Sequence, residues 1–197
     1  MKTNCTFCFN GVNIVTTVTN SPSVIDSVLK EFRSESLIGL DIEWNSASHN
    51  NKVATLQLCH GTRCIIIQLL RLDFIPSSLR TKLDRDYGLK CWSVKELGPL
   101  ADRVYRTQQF HGAGLSSLMH QIVGVRVEQP EHVKRSNWGV NILNTEQIKY
   151  ATIDAYALSQ LQTSCCLDIF SWLWVLDGSV VCVGVAILCD FVFKLCV

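Results

Sequence analysis

A chain of 197 residues has room for one domain with a sizeable core, or for a domain of about 160 residues plus an appendage. Its composition is globular but rich in apolar residues, 48% hydrophobic against 18% charged, and a net charge of +1 excludes a strongly basic or strongly acidic protein. The balance is uneven: residues 164–197 hold Asp168, Asp177 and Asp190 against Lys194, which leaves a mild positive surplus in the rest, enough to permit a polyanionic partner without demanding one.

Five of the ten cysteines lie beyond residue 164, and no sustained apolar segment precedes Asn10, so no secretory signal is expected and the thiols read as reduced. Cys5-x-x-Cys8 is a lone pair without a second pair at zinc spacing, and reads as two free cysteines.

Residues 11–20 are β-branched and predict a first strand. Ser21-Pro22 opens a helix, with Ser21 as N-cap and Val24, Ile25, Val28, Leu29 and Phe32 on the face toward a sheet. The next strand, 38–44, carries two acids: side chains alternate along a strand, so Asp41 and Glu43 share one face while Leu40 and Ile42 share the other. Two adjacent carboxylates repel unless a cation lies between them, so this strand is either a solvated edge or half of a metal site. A polar loop over 46–52 leads to strands 53–59 and 63–70 around Gly61-Thr62, which makes an antiparallel meander starting at the acidic strand.

A helical pattern resumes at Phe74, Ile75, Pro76, Leu79 and Leu83 and stops at Tyr87-Gly88-Leu89, and 94–97 predicts a short strand. Leu115, Leu118, Ile122 and Val123 mark another helix. His132, Lys134 and Arg135 before Asn137-Trp138 form either a solvated loop or a phosphate-contacting patch beside an aromatic that can stack on a base. Residues 144–162 predict a helix capped by Thr145, on which Tyr150 and Asp154, four apart, share one face.

Ile-Gly-Leu-Asp-Ile-Glu-Trp (38–44) and Tyr-Ala-Thr-Ile-Asp-Ala-Tyr (150–156) resemble the first and last motifs of the DEDD 3′–5′ exonucleases, in the tyrosine-bearing subclass. Asn137-Trp138, Thr145 to Ala151 and Asp86 to Cys91 look like the plant Werner-syndrome-like exonucleases, and the resemblance covers roughly residues 10–162. It implies an α/β, ribonuclease-H-like fold with a mixed sheet flanked by helices, acting on DNA or RNA 3′ ends in the nucleus or cytoplasm, with a helicase as a conceivable partner. It also implies two Mg²⁺ or Mn²⁺ ions held by Asp41, Glu43 and Asp154, with Tyr150 positioning or deprotonating the attacking water. Nucleic-acid contacts would fall to Trp44, Lys134, Arg135 and Trp138.

Two departures qualify that expectation. The family's second aspartate follows a buried strand, yet here Ile75 to Arg80 runs directly into Thr81 to Tyr87; Asp84 and Asp86 match the helix beyond that motif. The sheet is therefore expected to lack one core strand, which opens the alternative of a catalytically impaired nucleic-acid-binding relative. The other departure is 164–197, an apolar tail expected to lie outside a domain of 1–163. It reads as translated intron or shifted-frame sequence in preference to a membrane anchor, because Asp177 would fall near the middle of a span.

Overall fold

The computed structural model describes residues 1–32, 37–45, 52–83, 90–92 and 94–173. Its centre is a six-stranded mixed sheet in the order β1-β2-β5-β4-β3-β6. The strands are β1 (Lys2–Phe9), β2 (Val12–Thr19), β3 (Leu37–Trp44), β4 (Val53–His60), β5 (Arg63–Gln68) and β6 (Lys90–Trp92). The helices are α1 (Pro22–Glu31), α2 (Ser77–Leu83), α3 (Val94–Tyr105), α4 (Leu115–Leu118, continued by a π-helical turn to Val123), α5 (Glu131–Lys134) and α6 (Thr145–Leu173).

The expected meander is present: β3 pairs antiparallel with β4, and β4 with β5. Its pleat sorts the residues as the alternation requires. Ile38 and Leu40 join Leu56, Leu58, Ile65 and Ile67 on the face covered by α1 and α2. Gly39, Asp41 and Glu43 face α6 on the other side. Gly39 makes that packing tight, because a Cβ there would stand 2.1 Å from the Ala155 carbonyl oxygen and 2.5 Å from the Ser159 nitrogen.

Several expectations are corrected. The sequence pattern carries no clear signal for β1, which forms a hairpin with β2 around Asn10-Gly11, whose positive φ angles of 48° and 77° suit an Asn-Gly turn. Residues 94–97 are helical, the start of α3, and the short strand lies just before them as β6. β6 pairs parallel with Leu37–Gly39, so the first half of β3 has a neighbour on each side where the sequence pattern implied an unpaired edge. Ser21 is the N-cap of α1 as expected, with Pro22 opening the helix, but its side chain makes no capping hydrogen bond. At α6 the cap is Asn144, one residue earlier than expected: its Oδ1 accepts from the Gln147 N–H at 2.9 Å, and Gln147 Oε1 accepts from the Asn144 N–H at 3.1 Å, a reciprocal capping box.

The helix expected over 144–162 continues to Leu173, because Leu158, Leu161 and Cys165 keep the core-facing spacing and are buried with α3 and α4. The thiols are not all reduced: Cys59 and Cys64, directly opposite on β4 and β5, form a disulfide, while Cys5 and Cys8 are free. Cross-strand register places those two sulfurs within bonding reach, which sequence separation alone does not reveal. Asp84, Asp86, the Tyr87-Gly88-Leu89 stop, the 46–51 stretch of the polar loop and the tail from 174 lie outside the described residues. Within the described residues no helix is long and apolar enough to cross a membrane.

A carboxylate cluster between β3 and α6

Asp41 and Glu43 rise from β3 toward α6, and the capped, core-packed helix brings Asp154 down to meet them. Ligating oxygens of the three carboxylates lie within 4.8 Å of one another. Glu43 and Asp154 are buried and Asp41 is half-buried. Asp154 Oδ2 accepts from Gln129 Nε2 at 2.7 Å, and Tyr150 lies close enough to this carboxylate to help hold its pKa down. The other oxygen, Oδ1, is buried without a partner. A buried, unpartnered carboxylate oxygen facing two further acids is costly in an empty site and satisfied by a cation.

The electrostatics agree. Burial, then the charge of Asp154, pushes Asp41 up to about 7, against a stabilising backbone hydrogen bond from Ile42. Burial, then Asp41 and Asp154, pushes Glu43 up to about 9, opposed by Lys134. Burial raises Asp154 to about 6, held down by Gln129, Tyr150 and Lys134. Burial and then the three carboxylates raise Tyr150 as well, so its hydroxyl stays protonated. Three acids at one point, each resisting ionisation, fit a divalent cation.

The structure thus brings together all four residues that the two motifs suggested. Lys134 stands close enough to stabilise Glu43 and Asp154, while it also pairs with Glu131 Oε1 at 3.8 Å. Arg135 pairs with Glu131 at 3.0 Å. Trp44 is half-buried at the end of β3. Trp138 differs from its expected role: it is 1% exposed, its ring lies 6.0 Å from that of Tyr150, and its Nε1 donates to the Lys134 carbonyl. It packs behind the tyrosine and offers no open face to a base. Its loop is clamped by Gln68 Nε2, which donates to the carbonyls of Val140 and Asn141, and by Arg71, which donates to that of Gly139.

Gln129 was missed by sequence reasoning. It lies in an irregular stretch before Pro130, where no periodicity marks it, and only the fold reveals its bond to Asp154.

No family model matches the chain. Among curated proteins it is 30% identical, over 66% of its length, to an Arabidopsis thaliana 3′–5′ exonuclease, of which it spans 54%. It is 24% identical, over 61% of its length, to the mouse bifunctional 3′–5′ exonuclease/ATP-dependent helicase WRN, of which it spans 10%. The chain therefore spans about half the length of the first relative and far less of the second. In structure it is similar to the Aedes aegypti Nibbler EXO domain, with a TM-score of 0.64 at 18% identity over 79% of this chain and 88% of that one. Escherichia coli RNase D gives a TM-score of 0.59 at 16% identity over 80% of this chain and 46% of that one.

Proposed function

We propose that this chain, which has the ribonuclease-H-like fold of the DEDD exonucleases and is a sequence relative of their 3′–5′ members, hydrolyses nucleic-acid phosphodiester bonds from the 3′ end. The observation that carries the reading is the convergence of Asp41, Glu43 and Asp154, with Asp154 Oδ1 unpartnered. These carboxylates would hold Mg²⁺ or Mn²⁺, two ions in the full arrangement. Bound there, the ions would supply the Lewis acidity that phosphodiester hydrolysis needs.

The chain's own side chains do the rest. Tyr150, braced by Trp138 and close to Asp154, would position or deprotonate the attacking water. Gln129 holds Asp154 through Oδ2 and leaves Oδ1 without a protein partner, free to meet a cation. Lys134 offsets the negative charge of the cluster and lies where the phosphate of a bound strand would arrive. A helicase acting in trans is a reasonable partner, since the mouse relative's name joins both activities in one chain.

The second reading is a nucleic-acid-binding relative without turnover. What favours it is that the metal cluster among the described residues holds three carboxylates and no fourth.

The deciding experiment is Mn²⁺-dependent shortening of a 5′-labelled DNA with a recessed 3′ end, beside Asp41→Ala. A ladder abolished by EDTA and by the substitution supports hydrolysis. Gel-shift binding without a ladder supports the second reading.

A further inference from the structure

Two strands of the meander present polar residues to α6 in matched rows. Asp41 of β3 stands directly opposite Gln57 of β4, and Glu43 directly opposite Thr55. Residues directly opposite in an antiparallel pair share a face, with Cβ atoms about 4.5–5.5 Å apart, so Gln57 and Thr55 lie beside the carboxylates on the α6 side of the sheet. Both are fully buried. A glutamine and a threonine inside a central strand cost stability unless their hydrogen bonds are met.

They are met only in part. Gln57 Nε2 donates to Thr55 Oγ1 at 2.6 Å, while Gln57 Oε1 is buried without a partner. Among the described residues the Thr55 hydroxyl, which accepts from Gln57, has no acceptor of its own. An acceptor lacking a donor and a donor lacking an acceptor therefore sit side by side. Turning the amide end for end in the same space resolves both: Oε1 accepts from the Thr55 hydroxyl, and Nε2 takes the unpartnered position. Nε2 then needs an acceptor. Of the two residues directly opposite Gln57, Ile66 on β5 offers only hydrocarbon, whereas Asp41 on β3 offers a carboxylate. Asp41 is open to such a donor: it accepts from the backbone N–H of Ile42 and, among the described residues, from no side chain, where Asp154 has Gln129.

We infer that Gln57 is a positioning residue for Asp41. Held through Oε1 by the Thr55 hydroxyl, it donates from Nε2 to one oxygen of the Asp41 carboxylate and leaves the other for a cation. A fixed hydrogen bond narrows the orientations that a ligating carboxylate samples, and partners of this kind are worth about 10–100-fold in metal affinity. An amide then stands on each side of the cluster, Gln57 from β4 and Gln129 from the stretch before α5. The inference rests on the reading of the three carboxylates as metal ligands, and adds how the ligand on β3 is held.

The test uses the full chain, Mn²⁺ titration calorimetry without nucleic acid, and urea unfolding in EDTA. Gln57→Leu keeps a buried side chain of similar bulk and removes the amide. Mn²⁺ affinity is expected to fall about tenfold or more. The urea midpoint should change little, because the hydrogen bond lost with the amide is offset by the unpartnered oxygen lost with it. Thr55→Val should lower the affinity in the same direction, and Thr55→Ser should retain it. Thr55→Val added to Gln57→Leu should lower it no further, since the hydroxyl acts through the amide. A residue that merely fills the core does the reverse: the midpoint falls and the Mn²⁺ affinity stays. Unchanged affinity in Gln57→Leu, or Thr55→Ser no better than Thr55→Val, overturns the inference. Where Gln57→Leu also lowers the midpoint or fails to fold, the two Thr55 variants decide. The two readings fail separately. A chain whose Mn²⁺ affinity depends on Gln57 but which shortens no strand keeps this role and loses hydrolysis. A chain that shortens strands with an affinity indifferent to Gln57 keeps hydrolysis and loses the role, and a chain that binds no Mn²⁺ loses both.

Discussion

A Cβ added to Gly39 would lie 2.1 Å from the carbonyl oxygen of Ala155, so the backbone of α6 rests directly on β3, two residues before Asp41 and one residue after Asp154. The separation of the two metal-binding elements is therefore set at a point of backbone contact. Gly39→Ala forces the helix away from the strand. We expect a loss of about 1–3 kcal/mol or more, read as a lower urea midpoint, together with weaker Mn²⁺ binding by titration calorimetry. Unchanged metal affinity would show that this close approach does not set the site.

Tyr150 and Trp138 separate chemistry from support. Tyr150→Phe keeps the ring against Trp138 and removes the hydroxyl, so stability should hold while kcat falls about tenfold to a hundredfold, the worth of a hydrogen bond to a charged group. Trp138→Ala empties a core position and should cost about 3–5 kcal/mol. Thermal denaturation beside single-turnover kinetics distinguishes the two.

The carboxylates make the metal-free protein sensitive to pH in a defined direction. Each has its pKa raised on folding, to about 6 for Asp154, about 7 for Asp41 and about 9 for Glu43, so the folded state holds more protons than the unfolded one. Their contribution is intact below about pH 4 and is lost as pH rises through those values toward pH 9. In EDTA, Tm should fall across that window. Mn²⁺ should raise Tm more at pH 8 than at pH 5, since protons compete with the cation for the same oxygens. A Tm increment independent of pH would contradict the assignment of these acids as ligands.

The Cys59–Cys64 bridge closes a small loop across the β4–β5 turn, and both sulfurs are buried with Ala155 and Tyr156 of α6. A loop of this size should contribute about 2 kcal/mol by restricting the unfolded chain. Peptide mapping without reductant should recover the two cysteines as one linked species, and reduction should lower the urea midpoint correspondingly.

What the sequence made legible was whatever carried a period. Alternation placed Asp41 and Glu43 on one face of β3, and the four-residue step placed Tyr150 beside Asp154. Neighbours without a period were invisible. Lys2–Phe9 mixes polar residues with cysteine and phenylalanine and carries no strand signal, so the hairpin it forms with β2 was not read from the sequence. The Val94 start looked strand-like because local residue type outweighed the longer apolar spacing through Leu97, Leu100 and Ala101 that packs α3. Trp138 resembled a stacking aromatic because burial cannot be read from a Lys-Arg-Ser-Asn context. Gln129 and the disulfide depend on which loops and strands become neighbours, which only the assembled sheet decides.

Helix α6 touches β2, β3, β4 and β5, and the Thr16–Thr152 hydroxyl pair beneath it joins residues 136 positions apart. During synthesis the sheet face bearing Asp41 and Glu43 must therefore wait, uncovered, until this helix leaves the ribosome. Such long-range closure slows folding relative to a chain built from local contacts. For that interval the exposed apolar residues of the nascent sheet are open to association with other chains.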